Sequence, residues 1–513
     1  MKPSHYLAAA LAAAVLVSAC GLLETVAPTI GRLTIRNDVV ALNPSGFAPL
    51  SAQIHVETSI ESKVALTVVG RRGSASDVVK SFEDLGTTHD VPVLGLYADY
   101  NNTVRLTFTD ASGAVLGRKD YAVQTAALPI GVLPAITIDV KRAGLFASGM
   151  TLVSYFGYQG SSFPQTPFFF DEFGDVRWYL DFHTSGILKG LFFDDGLERL
   201  QNGNLYFGDV NSGAVYEVDM LGRVLNSWPL PGYVFHHNVQ EKPNGNFLVT
   251  VTKSGIATTE DFIIEIDRAT KQIIRTWDLR ASLDPTRRTL TGDATDWIHV
   301  NAIVYDPSDS TIIVSGRTQA VVKLDATNRV VWILGAHKGW TTSGNGTPLA
   351  PLLLRPLDAS GRPITDAAVL NGDANHPDFE WNWYQHAPLV MLNGDVMLFD
   401  NGGDNRNFSG RGQYSRAVQY RIDAAAKTVR QVWSYGKERG PATFSNIVSD
   451  VDFLGPLNHV IVSPGAVVNG TKYGKVIEVD YATKEVVFEA TLTPLQTFFN
   501  ITLHRTERLP LYP

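Results

Sequence analysis

Apolar and polar side chains alternate with a period of two in short runs along most of this chain, each run bounded by Gly, Asn, Asp or Pro, which predicts strand after strand. From about residue 151 these strands fall into a repeat. Asn202-Gly203, Asn244-Gly245 and Asn393-Gly394 each place a tight turn directly ahead of an apolar strand, the entry to a hairpin. A second mark follows, an alternating strand that ends in Asp: Tyr216-Glu217-Val218-Asp219, Ile264-Glu265-Ile266-Asp267, Val322-Lys323-Leu324-Asp325, Tyr420-Arg421-Ile422-Asp423 and Ile477-Glu478-Val479-Asp480. Beyond a turn comes a strand with an aromatic residue: Trp228, Trp277, Trp332, Trp433 and Phe488.

A more divergent copy, from Thr151-Leu152-Val153 to Arg177-Trp178, precedes these five. Six ordered copies of about four strands predict a six-bladed β-propeller over residues 144–513, with the tail Phe498 to Leu509 available to complete the first blade. A pair of β-sandwiches with similar turns would not repeat both marks in the same order. The alternating stretches within residues 30–134, such as Gln53-Ile54-His55-Val56-Glu57 and Thr103-Val104-Arg105-Leu106-Thr107-Phe108, predict a separate small β-sandwich and make the chain all-β. Nothing in that unit looks catalytic. It reads as a spacer, a homodimerisation surface or a lid on one mouth of the propeller.

The N-terminus has a different pattern. Lys2, the apolar run Leu7 to Val17 and the sequence Val17-Ser18-Ala19-Cys20 resemble a lipoprotein signal peptide over residues 1–19, followed by a lipidated linker over residues 20–29. Cys20 is the only cysteine of the 513 residues, so its acylation is expected to anchor the mature chain, which can then hold no internal disulfide. Gly21, rather than Asp, points to the periplasmic face of the outer membrane within the cell envelope. No other apolar run is long enough to span a bilayer. Charged residues make up only 18% and the net charge is -8, which removes the electrostatic basis for binding nucleic acid.

Candidate chemistry lies at the heads of the repeats. His237 stands seven residues before Asn244 and His386 seven before Asn393, and Asn301 falls at about the same place in the blade between them, with His299 two residues earlier. In the blade before His237 the matching position is Asp195. The strand Ile312-Ile313-Val314 continues to Arg317. Equivalent positions of a closed circular repeat converge on its axis. Two or three imidazoles, an amide and a guanidinium with no obligatory carboxylate suit a tetrahedral oxyanion better than a metal ion, because Arg offers a bidentate fork and His serves as nucleophile or acid/base near neutral pH. No cofactor or metal is assigned. His183, His337, His376, His459 and His504 read as core or turn residues. Three histidines binding a metal in a hydrolase or lyase, and a non-catalytic envelope scaffold, stay open as alternatives.

Several motifs also resemble one family. Asn43-Pro44-Ser45-Gly46-Phe47-Ala48-Pro49-Leu50, Val93-Leu94-Gly95-Leu96-Tyr97, Phe235-His236-His237, Trp332-Ile333-Leu334-Gly335-Ala336-His337-Lys338-Gly339-Trp340, Gln385-His386-Ala387-Pro388 and Phe399-Asp400-Asn401-Gly402 together are similar to the bacterial arylsulfotransferases, over both domains. The resemblance implies a six-bladed propeller behind a β-sandwich, moving a sulfuryl group from a phenolic sulfate ester to a phenol by ping-pong chemistry without a nucleotide donor. It makes His386 the nucleophile, with His237, His299, Asn301 and Arg317 around the sulfuryl group. On this reading Arg317, His299 and Asn301 hold the sulfuryl oxygens, and His237 protonates the leaving phenolate and later deprotonates the acceptor. Two departures accompany it: the family's disulfide near the active site cannot form here, and Thr318 stands where a further histidine is usual. Extended geometry favours His237 over His236, because neighbours on a strand point to opposite sides. The insertion from Ala336 to Trp383 carries Trp340, Trp381 and Trp383, which serve either as aromatic walls for a phenol ring or as inter-blade packing.

Overall fold

The computed structural model describes residues 33–156, 165–191, 196–403, 413–495 and 500–513. Cys20 with its signal peptide and linker, and Asp195, lie outside the described residues. Among these residues, the strands form seven sheets.

The first sheet is the N-terminal domain. Its 18-residue strand Ser51–Val68 pairs along one edge with Val78–Leu94, while its first half pairs on the other edge with Ile35–Leu42 and its second half with Asn101–Thr109. Ala52, Ile54, Val56, Val64, Leu66 and Val68 alternate into one buried face, as a period of two requires. Strand pairing thus runs continuously through the domain, with register shifts between Glu57 and Val64. The domain docks on the first two blades and the C-terminal segment through two of the motifs singled out above. Gly95 O accepts from Arg177 Nε and Nη2 at 3.0 and 2.6 Å, Ser45 Oγ donates to Leu221 O at 2.6 Å, and Leu94 N donates to Tyr512 Oη at 2.7 Å. None of these contacts involves a histidine of the candidate site.

Each of the other six sheets contains four consecutive antiparallel strands, one sheet per blade. Their first strands, in blade order, are Thr502–Leu509, Glu198–Arg199, Tyr233–Glu241, Val300–Asp306, His386–Val390 and Asp450–Leu454. Arg505, Glu198, Gln240, Ile303, Leu389 and Asp452, one from each of these strands, line a single cavity of about 200 Å³, which identifies them as the inner strands around the axis. The tail strand Thr502–Leu509 pairs with Met150–Phe156 and completes the first blade, as its alternation predicts.

A second closure was not expected. Ala135–Lys141, ahead of the predicted start at residue 144, pairs with Val486–Thr493 as the outermost strand of the last blade. Ile136, Ile138 and Val140 are half-buried and alternate with exposed Thr137, Asp139 and Lys141, so the strand is legible in its own pattern, whereas its partner lies at the far end of the chain. The ring is therefore held at both chain ends.

The repeat marks have local structural jobs. Trp178, Trp228, Trp277 and Trp433, each on the fourth strand of its blade, donate Nε1–H to Met220 O, Arg268 O, Asp325 O and Tyr481 O of the next blade at 2.7 to 2.8 Å. A buried indole needs a partner for its N–H, and here the partner is the carbonyl of the strand-ending Asp or of the residue after it. That Asp caps the turn: Asp219 Oδ1 accepts from Leu221 N and Arg223 N, and Asp325 Oδ1 from Thr327 N and Arg329 N. In the long insertion, Trp340, Trp381 and Trp383 are buried in the cores of the fourth and fifth blades, with Nε1 of the first two bonded to Ala336 O and Val369 O. Of the two roles open to these tryptophans, packing is the one the fold assigns.

Candidate functional site

The inner strands are interrupted where the candidate residues sit. Pairing slips between Phe235 and Val239, between Val300 and Ala302, between His386 and Leu389, and between Leu503 and Arg505. His237, His299 and Ala387 take positive φ values of 56°, 51° and 47°. Such bulges re-aim side chains that a regular strand would send to alternate faces. They bring His236, His237, His299 and His504 together: His237 Nε2 lies 3.1 Å from His299 Nε2, and the His237 ring stacks 5.7 Å from that of His504. His236 is not turned away. Its ring centroid is 3.8 Å from that of His237, because the segment is bulged rather than extended.

Two carboxylates complete the cluster, against the expectation of a pocket without them. Glu260 places Oε1 2.7 Å from His236 Nε2 and Oε2 2.8 Å from His299 Nδ1, and Asp296 Oδ2 stands 2.6 Å from the same His299 nitrogen. Burial alone would push the His299 imidazole down, but Asp296 and Glu260 overcome it and raise it to about 9. His299 is therefore an imidazolium at neutral pH, donating through both nitrogens, and His237 accepts as the neutral partner. Burial would likewise raise the Glu260 carboxyl, yet hydrogen bonds from His236 and His299 hold it well below the usual carboxylate range.

His386 is in the opposite electrostatic state. Burial, and after it the Arg317 guanidinium, push it well below 6.5. Its Nδ1 lies 2.7 Å from Asn401 Oδ1 and 3.2 Å from Tyr384 O. Arg317 follows the second strand of the fourth blade, where its backbone N–H bonds His299 O at 3.0 Å and its guanidinium carbon sits 5.7 Å from the Tyr384 ring centroid. Asn301 donates Nδ2 to Gln385 O at 2.8 Å, so it ties its blade to the one bearing His386. Gln385 adds Nε2 contacts to Ser315 Oγ and Gly316 O at 3.2 and 3.1 Å. Thr318 is buried with Oγ1 bonded to Trp297 O at 2.9 Å.

All five predicted residues thus fall in one region, and His236, His504, Glu260, Asp296 and Asn401 join them. By its own segment His504 reads only as a core or turn residue. The predicted completion of the first blade by the tail was the signal that places it on an inner strand like the rest. Glu260, Asp296 and Asn401 had no repeat-equivalent position to mark them. His236, His237 and Glu260, or Glu260, Asp296 and His299, offer donor atoms within 4.8 Å of one another and could hold a metal ion.

Comparison with known proteins places the chain in a family. The chain is 31% identical to the arylsulfate sulfotransferase AssT of Escherichia coli O6:H1, with 94% of each chain covered, and 30% identical to the arylsulfate sulfotransferase AssT of Lelliottia amnigena, with 92% of this chain and 93% of the other covered. Among solved structures, a streptogramin B lyase covers 70% of this chain and 98% of its own at 11% identity and a TM-score of 0.31, a likeness too loose to bear on function. Residues 39–126 match the arylsulfotransferase Ig-like domain, and residues 137–498 match the arylsulfotransferase (ASST) model. The chain belongs to the arylsulfotransferase (ASST) family.

Proposed function

We propose that this protein moves a sulfuryl group from a phenolic sulfate ester to a phenol in two half-reactions that pass through a sulfohistidine at His386, without a nucleotide donor. Membership of the family makes it an aryl-sulfate sulfotransferase and sets aside the non-catalytic scaffold. The observation that carries the finer reading is the contrast between neighbouring imidazoles. His386 is held neutral by burial and Arg317, while His299 is held charged by Asp296 and Glu260.

A neutral imidazole is a nucleophile, and an imidazolium hydrogen-bonded to a second imidazole is a proton donor. In the first half-reaction His386 attacks sulfur as the bond to the phenolic oxygen breaks. Arg317 meets the charge that spreads over the sulfuryl oxygens. The proton shared by His299 and His237 goes to the departing phenolate. This revises the division of labour expected from sequence, since His299 serves the proton and not a sulfuryl oxygen. In the second half-reaction an acceptor phenol returns its proton to the pair and takes the sulfuryl group, so the cycle consumes no proton.

Incubation with an aryl sulfate and a phenol, free of nucleotide, tests the activity. Mass spectrometry after donor alone should show one sulfuryl group on the peptide containing His386, and His386→Asn should release no phenol. The same adduct on another residue would overturn the assignment. The two donor triads support a second reading, a metal-dependent hydrolase or lyase. Stoichiometric metal in the purified protein, with activity lost to a chelator, would favour it. We further propose that acylation of Cys20 anchors the enzyme in the cell envelope, at the periplasmic face of the outer membrane. Among the described residues no helix is long and apolar enough to cross a membrane.

A further inference from the structure

Asn401 directly follows the strand Val396–Asp400, beside the inner strand that begins at His386. Its side chain is fully buried. Its amide nitrogen donates to two backbone carbonyls, Ser445 O at 2.8 Å and Val448 O at 3.0 Å. Both acceptors lie in the connection to the last blade, where Val448 and Ser449 take positive φ values of 50° and 88°. Two carbonyls demand the NH2 end of the amide, so its orientation is dictated and its oxygen must face His386 Nδ1. An amide oxygen only accepts. Nδ1 therefore carries the hydrogen, as the Tyr384 carbonyl on the same nitrogen also requires.

From this arrangement we infer that Asn401 is a positioning residue that selects Nε2 of His386 as the attacking atom and keeps the sulfurylated ring ready to give up its load. The inference rests on the reading of His386 as the nucleophile. Attack forms the Nε2–S bond as the S–O bond to the phenol breaks, with the oxygen's electron pair taking a proton from the His299–His237 pair. The ring keeps its Nδ1 hydrogen against Asn401 and becomes an N-sulfoimidazolium. When the acceptor oxygen attacks sulfur, the ring departs as neutral imidazole, a good leaving group. A carboxylate in place of Asn401 would draw off that hydrogen. The ring would then have to leave as an imidazolate, and the intermediate would persist. A neutral amide suits a carrier that must load and unload with similar ease, whereas the aspartate of a hydrolytic triad serves a histidine that only moves protons.

The test begins with the unaltered protein. Sulfo-enzyme made with 4-nitrophenyl sulfate alone is digested in alkali, and the sulfohistidine is compared by NMR with both synthetic isomers. Nε2 substitution is expected, and Nδ1 substitution on His386 would overturn the inference while leaving the nucleophile assignment intact. No adduct on His386 would instead bring down the reading on which it rests. Two variants then separate positioning from structural support. N401L, which removes the acceptor, should slow phenol release by up to about 10⁴-fold, the loss seen when a catalytic imidazole sits in the wrong tautomer. N401D should still release phenol in a burst but pass the group to an acceptor at least roughly tenfold more slowly, so that sulfo-enzyme accumulates. A wild-type burst in N401L, or equal slowing of both half-reactions in N401D, would contradict it.

Discussion

The Nε2 atoms of His237 and His299, 62 residues apart in sequence, stand 3.1 Å from each other across two blades. One must donate and the other accept. Asp296 and Glu260 at the far nitrogen of His299 decide which, by stabilising the charged ring there.

That assignment fixes the sign of a pH effect. The His299 imidazole is raised from 6.5 to about 9, so the pair holds its extra proton below that range and loses it as pH rises through about 9. Phenol release from an unactivated aryl sulfate should therefore decline above about pH 9, while release from a nitrophenyl sulfate, which needs little protonation, stays level. Parallel declines for both donors in stopped-flow traces would remove the pair from the proton's path. The same shift is a stability statement: its contribution is complete below pH 6.5 and fades as pH approaches 9, so the thermal midpoint should fall over that interval.

Arg317→Lys keeps the charge beside His386 and discards the planar fork. If the guanidinium clamps two sulfuryl oxygens, kcat/KM for the donor should drop by roughly 10²-fold, the size of losing one oriented oxyanion donor. Steady-state kinetics within threefold of the unaltered enzyme would show that only charge matters there.

The C-terminal strand supplies both closure and a site residue. Removing residues 497–513 strips the first blade of Thr502–Leu509, removes His504, and takes away the Tyr512 hydroxyl that bonds Leu94 N. Exposed strand edges of this kind aggregate. The truncated chain is expected in the insoluble fraction, and a soluble, monodisperse and active truncation would refute the closure.

Acylation at Cys20 predicts that the protein enters the detergent phase on phase separation and that Cys20→Ser releases it folded and active, since the chain has no other cysteine to depend on. An unmodified N-terminus on the aqueous-phase protein would end the lipoprotein reading.

What the sequence by itself determined were features whose partners are close along the chain. A blade is four strands joined by tight turns, so its alternation, its Asn-Gly turns, its capping Asp and its stitching Trp are all written within a few dozen residues. His237 and His386 could be located because a fixed offset from a hairpin turn puts equivalent residues at the same place on the axis. Closure of the first blade by the tail was legible for the same reason, as an alternating strand left over at the end of the count.

Tertiary structure alone decided how those residues meet. Alternation separates His236 from His237 only if the backbone stays extended, and the bulge with His237 at a φ of 56° cancels that rule. Glu260 and Asp296 come from connections between strands, where no period operates; Asp296 reaches His299 from within its own segment, but Glu260 reaches it only once neighbouring blades are pressed side by side. His504 carries no mark in its own segment and becomes part of the site because the chain's last strand is its first blade's inner wall. Asn401 sits in the motif Phe399-Asp400-Asn401-Gly402, yet only the two carbonyls of the next connection settle which way its amide faces. Local propensity writes the blades, whereas the charge state and tautomer of each imidazole depend on groups that the bulges and the packing of neighbouring strands and blades bring within hydrogen-bonding distance.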